Sequence, residues 1–303
     1  MTRIHVVIPT HTTRHLAATL GALAASENPP TSVVVSVDGD AGDFVDLVAR
    51  IALSPETTTA VVTRAHQGEP RLNQVRNNAL RALRQLNWAE PDDMVLVIDG
   101  DMAIGPRSLG AHLDAANSGA DVVLASRVNL TEPETETLSK LLVSGDFSQA
   151  QALMQGFWKN DHPSLSARQH RLERQARLKS VPLLGRVLVK GHKPKILGGH
   201  HALRCSLFEK INGYDERFVG YGYDDDDLAR RVHAVGARTA VCIDTIPAFH
   251  LWHPTRAPTR PPDAPGYTTF TKSWTPRAES GIDDGAEQPE PEINIVCGAK
   301  PGG

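Results

Sequence analysis

The chain contains 303 residues, of which 40% are hydrophobic and 22% charged, and its formal net charge is -3. This length can bury one large α/β core or two small ones without disulfide staples, and the three cysteines show no metal-like spacing. The first residues lack a signal-peptide pattern, and no apolar run approaches the roughly 18 residues of a membrane span. These features predict a cytoplasmic protein with reduced thiols.

Apolar runs and helical stretches alternate through the first half of the chain. Short apolar runs predict strands, and the stretches between them have the length and capping residues of helices. The predicted strands are Ile4–Pro9, Val33–Val37, Val61–Val62, Met94–Ile98 and Val122–Ala125. The predicted helices are 14–25, 42–53, 71–87 and 106–118. This order predicts an α/β fold with a mostly parallel central sheet flanked by helices, and a nucleotide-binding half over residues 1–130.

The run Met94–Ile98 ends abruptly in Asp99-Gly100-Asp101. The run has the composition of a buried parallel strand, and ligands bind at the carboxyl ends of such strands in open α/β sheets. Two carboxylates separated by one residue point to the same side of an extended chain. Mg²⁺ and Mn²⁺ prefer carboxylate oxygens together with substrate phosphate. The motif therefore predicts a divalent cation that carries phosphate oxygens.

A basic insertion over residues 131–195 interrupts the alternation. Between Lys140 and Lys195 the chain has eleven Lys or Arg and only three acidic residues. Leu165–Lys179 is interpreted as an exposed basic helix, and its charges fit a solvated face, an anionic acceptor or peripheral contact with a lipid headgroup surface. Nucleic acid is not expected, because no aromatic residues are interleaved with the charges.

A second informative block covers residues 196–254. Gly198-Gly199 opens this block, and a glycine- and aromatic-rich loop over 218–223 leads into the acidic run Asp224–Asp227. Four successive carboxylates exceed what the start of a helix needs for capping, so the run predicts a functional site. From residue 255 to 303 the chain is rich in proline and acidic residues, and we expect an extended or disordered tail.

The motifs, taken in this order, resemble two glycosyltransferase groups. V-V-I-P-T, V-D-G-D, V-R-N-N-A-L and I-D-G-D resemble the nucleotide half of family-2 glycosyltransferases. The segment G-G-H-H-A-L, then I-N-G, then G-Y-G-Y-D-D-D-D resembles the acceptor half of the β-1,4-galactosyltransferases. The resemblance implies the GT-A fold, a single domain over 1–254 that transfers a hexose from a nucleoside diphosphate donor with Mn²⁺ or Mg²⁺. The donor it implies first is a UDP-hexose.

The resemblance also implies roles for donor-side residues. Pro9, Thr10 and Asp38 are expected to line the base and ribose. Arg76 corresponds to an arginine near the base and diphosphate, and Asp99 is expected to face the ribose and the donor sugar. Gly199 is also assigned to donor binding.

Metal and catalytic roles follow from the same resemblance. Asp101 is expected to be the direct metal ligand, and His250 matches a late histidine that completes the metal site. His253 competes with His250, because the H-x-x-H spacing leaves either able to bind. Asp225 aligns with the general base of an inverting transferase.

Three further residues fill the acceptor side. Asp224 aligns with an acidic residue that contacts the donor sugar, and Asp226 with one that grips the acceptor. Tyr221 stands where the family has a tryptophan that stacks on the acceptor sugar, and Asp224 stands where it has glutamate. These two departures leave the donor sugar and the acceptor open, and the acceptor class is a glycan, a protein or a small molecule.

Two alternatives to a transferase remain. A sugar nucleotidyltransferase has a similar α/β topology, but no glycine-rich phosphate loop follows the first strand. A non-catalytic glycan- or metal-binding protein would use the aspartates as a calcium site, although Asp224–Asp227 lacks the alternating spacing of an EF-hand loop.

Overall fold

The computed structural model describes residues 2–179, 181, 188–254, 263–285 and 290–297. The parts of the predicted insertion at 180 and 182–187, and the parts of the predicted tail at 255–262, 286–289 and 298–303, lie outside the described residues. Among the described residues, no helix combines the length and the apolar character needed to cross a membrane. Cys205, Cys242 and Cys297 are free thiols, as predicted.

The described residues form strands and helices in alternation. The strands are β1 Ile4–Thr10, β2 Ser32–Asp38, β3 Thr58–Arg64, β4 Met94–Ile98, β5 Met102–Ile104, β6 Val122–Leu124, β7 Val128–Asn129, β8 His200–Arg204, β9 Thr239–Val241, β10 Ala248–His250 and β11 Glu292–Cys297. The helices are α1 Leu16–Ala24, α2 Gly42–Arg50, α3 Leu72–Gln85, α4 Ser108–Asn117, α5 Glu132–Ser144, α6 Phe147–Lys179, α7 Cys205–Ile211, α8 Asp224–Ala234 and α9 Tyr267–Thr271.

The main sheet has eight strands in the order β11-β3-β2-β1-β4-β8-β6-β9. β1 pairs in parallel with both β2 and β4, and β2 pairs in parallel with β3. β8 runs antiparallel between β4 and β6, so the carboxyl end of β6 and the start of β8 lie at the same edge as the carboxyl end of β4. The sheet is mostly parallel, which confirms the predicted α/β class.

Helices cover both faces of this sheet. One face packs on α1, α2 and α4 through a cluster that includes Leu20, Val48 and Leu109. The other face packs on α3, α7 and α8 through a cluster that includes Leu83 and Leu228. The central strands β1, β2 and β4 consist mostly of buried apolar residues because both of their faces are covered. Every residue of β4 is buried, so the motif that follows it is held on a rigid support.

A second sheet of three strands has the order β5-β10-β7. β5 begins one residue after Asp101, and in the antiparallel pair of β5 and β10 His250 lies opposite Met102. This register brings a histidine from the end of the domain next to the motif that follows β4. The sequence analysis identified neither β5 nor β10, since strands of three residues carry no measurable periodicity.

The basic insertion contributes two helices. The helix predicted over Leu165–Lys179 is the second part of α6. Leu165 and Leu172 are buried in a third hydrophobic cluster together with Phe249 of β10. One side of the helix therefore packs on the domain, while Arg171 and Arg174 are exposed.

Part of the segment after residue 254 also joins the domain. β11 pairs antiparallel with β3, and the buried side chain of Ile282 packs in the same cluster as α3 and α8. The backbone N–H of Asp283 donates to Asn212 Oδ1 at 2.9 Å. The sequence analysis placed no secondary structure in this segment, because its proline and acidic residues mask a short strand.

Candidate active site

The Asp99-Gly100-Asp101 turn lies between β4 and β5, at the carboxyl edge of the main sheet. The Gly100 N–H donates to the carbonyl of Pro9 at the end of β1, at 3.3 Å. A Cβ atom at position 100 would lie 2.8 Å from Thr10 Oγ1, so only glycine fits against the neighbouring strand. The turn therefore packs against the Pro9-Thr10 segment, for which the family resemblance implies contact with the donor nucleotide.

Asp101 meets both histidines of the H-x-x-H spacing. Its Oδ2 atom lies 3.0 Å from His253 Nε2 and 3.4 Å from His250 Nε2. Ligand atoms of the three residues all lie within 4.8 Å of one another. Burial raises the pKa of Asp101. The hydrogen bond and charge of His250 and the charge of His253 outweigh this effect, so the pKa of Asp101 lies below its usual value.

This group fits a divalent cation. One carboxylate and two imidazoles are ligands that Mn²⁺ accepts, and phosphate oxygens and water complete its coordination. Among the described residues, the buried Oδ1 atom of Asp101 has no hydrogen-bond partner, which leaves it available to a cation. The sequence prediction left His250 and His253 as competitors, and the geometry places both against Asp101.

Asp99 belongs to the same turn. Its buried Oδ1 atom also has no hydrogen-bond partner among the described residues, and it lies 3.8 Å from Arg76 Nη2. Burial raises the pKa of Asp99, and the neighbouring Asp101 raises it further against the opposing charge of Arg76. A Cβ atom at Gly199 would lie 2.7 Å from Asp99 Oδ2, so the glycine keeps the backbone close to this carboxylate.

Arg76 connects the two halves of the site. It projects from α3 of the nucleotide half and is buried. Its Nη1 atom lies 3.1 Å from Asp224 Oδ2 and 3.5 Å from Asp225 Oδ1, and its Nη2 atom donates to the Gly198 carbonyl at 3.1 Å. Burial disfavours the charged guanidinium, but the surrounding carboxylates raise its pKa above the ordinary value. Arg76 therefore stays a cation and holds α8 against α3.

Asp225 stands in the environment expected of a general base. Its carboxylate packs directly on Gly198, where any Cβ atom would overlap the carboxylate oxygens. Burial raises the pKa of Asp225 to about 7, the charge of Asp224 also raises it, and Arg76 opposes both. A carboxylate with this pKa is ionised near neutral pH and is still basic enough to accept a proton.

The other two aspartates of the run have different partners. Asp226 Oδ2 accepts a hydrogen bond from Lys195 Nζ at 3.2 Å. Asp227 is buried and its two oxygens take separate arginines, Arg230 Nη2 at 2.6 Å and Arg231 Nε at 2.8 Å. Asp227 is therefore a structural residue that fixes the first turns of α8. The run of four carboxylates divides into catalytic candidates and a structural ion pair.

The predicted donor-side residues lie along one edge of the sheet. Pro9 and Thr10 end β1, and Asp38 ends β2. Asp38 Oδ1 accepts hydrogen bonds from Arg64 at 2.9 and 3.1 Å and lies 3.2 Å from His66 Nδ1. The structure brings these residues to the same edge as Asp99, while their contacts with a base or ribose remain a prediction.

Tyr221 lies in the loop before α8, and its side chain is 45% exposed. The flanking Gly220 and Gly222 have φ angles of 83° and 93°, a backbone region that favours glycine. The Tyr221 carbonyl accepts a hydrogen bond from the Gly266 N–H at 3.3 Å. An aromatic ring can stack on a sugar, and the role of Tyr221 in acceptor binding remains a prediction.

The sequence reasoning missed two residues beside these carboxylates. Arg127 follows β6, and its Nη1 atom would lie 2.8 Å from a Cβ atom at Gly199. Tyr214 is buried, its ring lies 5.1 Å from the Arg76 guanidinium carbon, and its hydroxyl lies 2.7 Å from His201 Nε2. Arg127 had a sequence signal, since it directly follows a predicted strand, whereas Tyr214 had none beyond its place after I-N-G.

Residues 186–253 match a family model described as the N-terminal domain of galactosyltransferase. A comparison with curated proteins gives no match. The matched segment contains α7, α8 and the acidic run, together with both candidate metal-binding histidines. It agrees with the galactosyltransferase-like half that the motifs predicted.

Two solved structures are similar to this chain. The chain is similar to S. aureus TarS with 17% identity and a TM-score of 0.50 over 83% of this chain, and it spans 37% of the length of TarS. It is also similar to glucosyl-3-phosphoglycerate synthase from Mycobacterium tuberculosis, in a complex with Mn²⁺, uridine-diphosphate and glucosyl-3-phosphoglycerate, with 17% identity and a TM-score of 0.43 over 84% of this chain and 73% of that one. The likeness to TarS supports the fold and confirms the predicted fold class, and the family match supports a galactosyltransferase-like segment over residues 186–253.

Proposed function

We propose that this protein is a metal-dependent inverting glycosyltransferase that moves a hexose from a nucleoside diphosphate sugar, most simply a UDP-hexose, to an acceptor hydroxyl. Asp225 is the general base. Asp101, His250 and His253 hold the divalent cation. Asp99, Arg76 and the Pro9-Thr10 segment face the donor.

One observation carries the proposal. The candidate base and the candidate metal ligands belong to segments far apart in the chain, yet a single buried arginine lies between them. Arg76 contacts Asp225 at 3.5 Å and lies 3.8 Å from Asp99, which shares a turn with Asp101. An acceptor and a donor held at these two groups would meet in one cleft, which is the proximity that a transfer reaction requires.

The protonation state of Asp225 suits the chemical step. Its carboxylate accepts the proton of the acceptor hydroxyl as that oxygen attacks the anomeric carbon of the donor. The bond between the anomeric carbon and the diphosphate breaks on the opposite face of the sugar, so the configuration inverts. A pKa of about 7 gives a useful fraction of the ionised base at neutral pH without making it too weak to take the proton.

The leaving diphosphate gains negative charge as the glycosidic bond breaks. A cation at Asp101, His250 and His253 would supply Lewis-acid stabilisation of that charge. Asp101 is well prepared for this role, because the histidines lower its pKa and keep it ionised. Arg76 contributes a second fixed positive charge behind the site.

The experiment is nucleotide release from a panel of UDP- and GDP-sugars, measured with Mn²⁺ and with EDTA, with crude cell extract as acceptor. We compare wild type with Asp101→Ala and with Asp114→Ala, a control that removes an exposed carboxylate on α4. We expect metal-dependent release of nucleoside diphosphate from one donor, loss of that release in Asp101→Ala, and unchanged release in Asp114→Ala.

The released product separates the alternatives. A nucleotidyltransferase would join a nucleoside triphosphate to a sugar phosphate and release pyrophosphate, not nucleoside diphosphate. A binding protein would bind Mn²⁺ without turning over any donor. Either result would reject the transferase.

A further inference from the structure

A row of positive charges runs along the edge of the cleft on the β6 side of the catalytic carboxylates. We call this row the cationic strip. It consists of Arg127, Arg168, Arg171, Lys190 and Lys193. Arg127 follows β6, two residues lie on α6, and two lie in the segment that leads to Gly198. Three separate parts of the chain therefore bring positive charge to the same place.

Contacts define how the strip is built. Arg168 Nη1 donates to Ser126 Oγ at 3.1 Å, which fixes α6 beside the end of β6. Ser126 immediately precedes Arg127, whose Nη1 atom reaches the backbone of Gly199 beside Asp99. The strip thus begins next to the metal-ligand turn and extends outward along α6.

The positive charges of the strip repel one another. Burial lowers the pKa of Arg168, and the charges of Arg171 and Arg127 lower it further. Burial likewise lowers the pKa of Lys193. Asp226 opposes that shift, while Lys195, Lys190 and Arg171 add to it. Arg171 lies one helical turn after Arg168 on the same face of α6. Lys179 Nζ at the end of α6 donates to the carbonyls of Lys190 and Gly191, at 3.1 and 2.6 Å, which places the segment with Lys190 and Lys193 against the same helix.

The strip has no matching carboxylates of its own. Within the described parts of the chain, no carboxylate oxygen lies within 4.0 Å of a charged nitrogen of these five residues. The nearby Asp226 is paired instead with Lys195. Like charges held close together repel one another unless an anion offsets them, and Arg127, Arg168 and Lys193 of this strip are half-buried. A bound anionic group would remove this repulsion.

The position of the strip indicates which substrate carries that group. The donor-side residues end β1 and β2, on one side of β4 in the sheet order, whereas Ser126 and Arg127 follow β6 on the other side. Asp226 directly follows the candidate base Asp225 and pairs with Lys195, two residues after Lys193 of the strip, at 3.2 Å. A ligand on the strip would therefore approach the base from the side opposite to the nucleotide.

We propose that the cationic strip binds a phosphate group of the acceptor, so that this enzyme glycosylates a phosphorylated acceptor. That the ligand is an acceptor rests on the proposed function. That it carries a phosphate group rests on the cationic strip alone. Phosphate is favoured over a carboxylate because it carries close to two negative charges near neutral pH and has three free oxygens, which can accept hydrogen bonds from more than one guanidinium group.

The test is direct binding of inorganic phosphate, measured by isothermal titration calorimetry at constant ionic strength with and without saturating UDP and Mg²⁺. The variants are Arg171→Gln, Arg168→Gln with Arg171→Gln, and the control Lys159→Gln, which removes an exposed charge elsewhere on α6. We expect the double variant to raise the dissociation constant at least tenfold and the control to leave it within twofold. The double variant also loses the Arg168–Ser126 contact, which could impair folding. Arg171→Gln alone keeps that contact and removes only an exposed side chain, and it should raise the dissociation constant severalfold.

Four results would overturn the proposal. The first is no binding of inorganic phosphate to wild type, and the second is equal binding in all variants. The third is loss of phosphate binding when UDP is added, which would assign the strip to the donor diphosphate. Strip-dependent binding to phosphatidylglycerol vesicles without binding of soluble phosphate would equally reject it, in favour of a membrane surface. Failure of the proposed function is separate, because it would appear as absent donor turnover while the phosphate titration still gave its answer.

Discussion

The two acidic segments of the site differ in what surrounds them, and the surroundings divide the chemistry between them. Asp101 lies beside two histidines that bring its pKa below the usual value, so it is suited to remain ionised and hold a cation. Asp225 lies under Gly198 beside another carboxylate, and burial raises its pKa to about 7. Because of their neighbours, identical side chains suit the two different roles that we propose for them, a metal ligand and a proton acceptor.

The largest effect is expected where the comparison predicts a metal ligand. Asp101→Asn keeps the size of the side chain but removes its charge, and we expect kcat/KM to fall about 10⁴-fold, because Lewis-acid stabilisation contributes several kcal/mol. Mn²⁺ binding, followed by electron paramagnetic resonance, should weaken in parallel. Asp114→Asn is the control, and retention of Mn²⁺ affinity by Asp101→Asn would contradict the assignment.

Asp225→Asn tests the other side of the comparison. We expect the transfer rate to fall about 10³-fold, since the amide cannot accept a proton. Binding of Mn²⁺ and UDP should persist, because those ligands contact the other segment. Calorimetric titration of UDP in the presence of Mn²⁺ measures this difference, and a variant that lost turnover and metal binding together would point to a calcium-type site.

Asp227 sharpens the comparison within the acidic run itself. Asp227→Asn leaves two buried arginines without their anion, and we expect the free energy of unfolding to fall by about 3–5 kcal/mol. The matched control is Asp283→Asn, which breaks exposed ion pairs with Arg84 and Arg277, and should cost about 0–1 kcal/mol. Urea unfolding measures both, and equal values for the two variants would contradict a structural role for Asp227.

The smallest effect is a pH dependence. Asp225 is active when ionised and its pKa is raised to about 7, so kcat/KM should fall about tenfold for each pH unit below 7 and level off above it. Asp224→Asn removes a like charge that raises this pKa, and should move the rise in activity to lower pH. The pH profile of wild type and variant checks both statements, and an unmoved profile would assign the titration to another group.

The sequence predicted the parts of this architecture that depend on local pattern. The apolar runs that became β1, β2 and β4 were identified because buried parallel strands need continuous apolar residues. The placement of Asp99 and Asp101 at a strand end followed from the same pattern. Resemblance supplied the role of Asp225, which no periodicity reveals.

Other features depend on contacts between distant segments and were not predictable in this way. The pairing of β10 with β5, which brings His250 to Asp101, joins residues that are far apart in the chain. Asp227 could not be separated from Asp225 in the sequence, since every acidic residue at a helix N-terminus is favoured by the helix dipole. Only its contacts with Arg230 and Arg231 distinguish it.

The pairing of β11 with β3 affects which strand lies at the exposed edge of the main sheet. Without residues 292–297, β3 would end the sheet, and its backbone N–H and C=O groups would offer a template for strands of other molecules. A chain shortened to residue 254 would expose that template next to apolar strands. β11 therefore replaces the buried strand β3 at the edge of the sheet with a more exposed strand that begins at Glu292, and a charged residue on an edge strand disfavours pairing with other molecules.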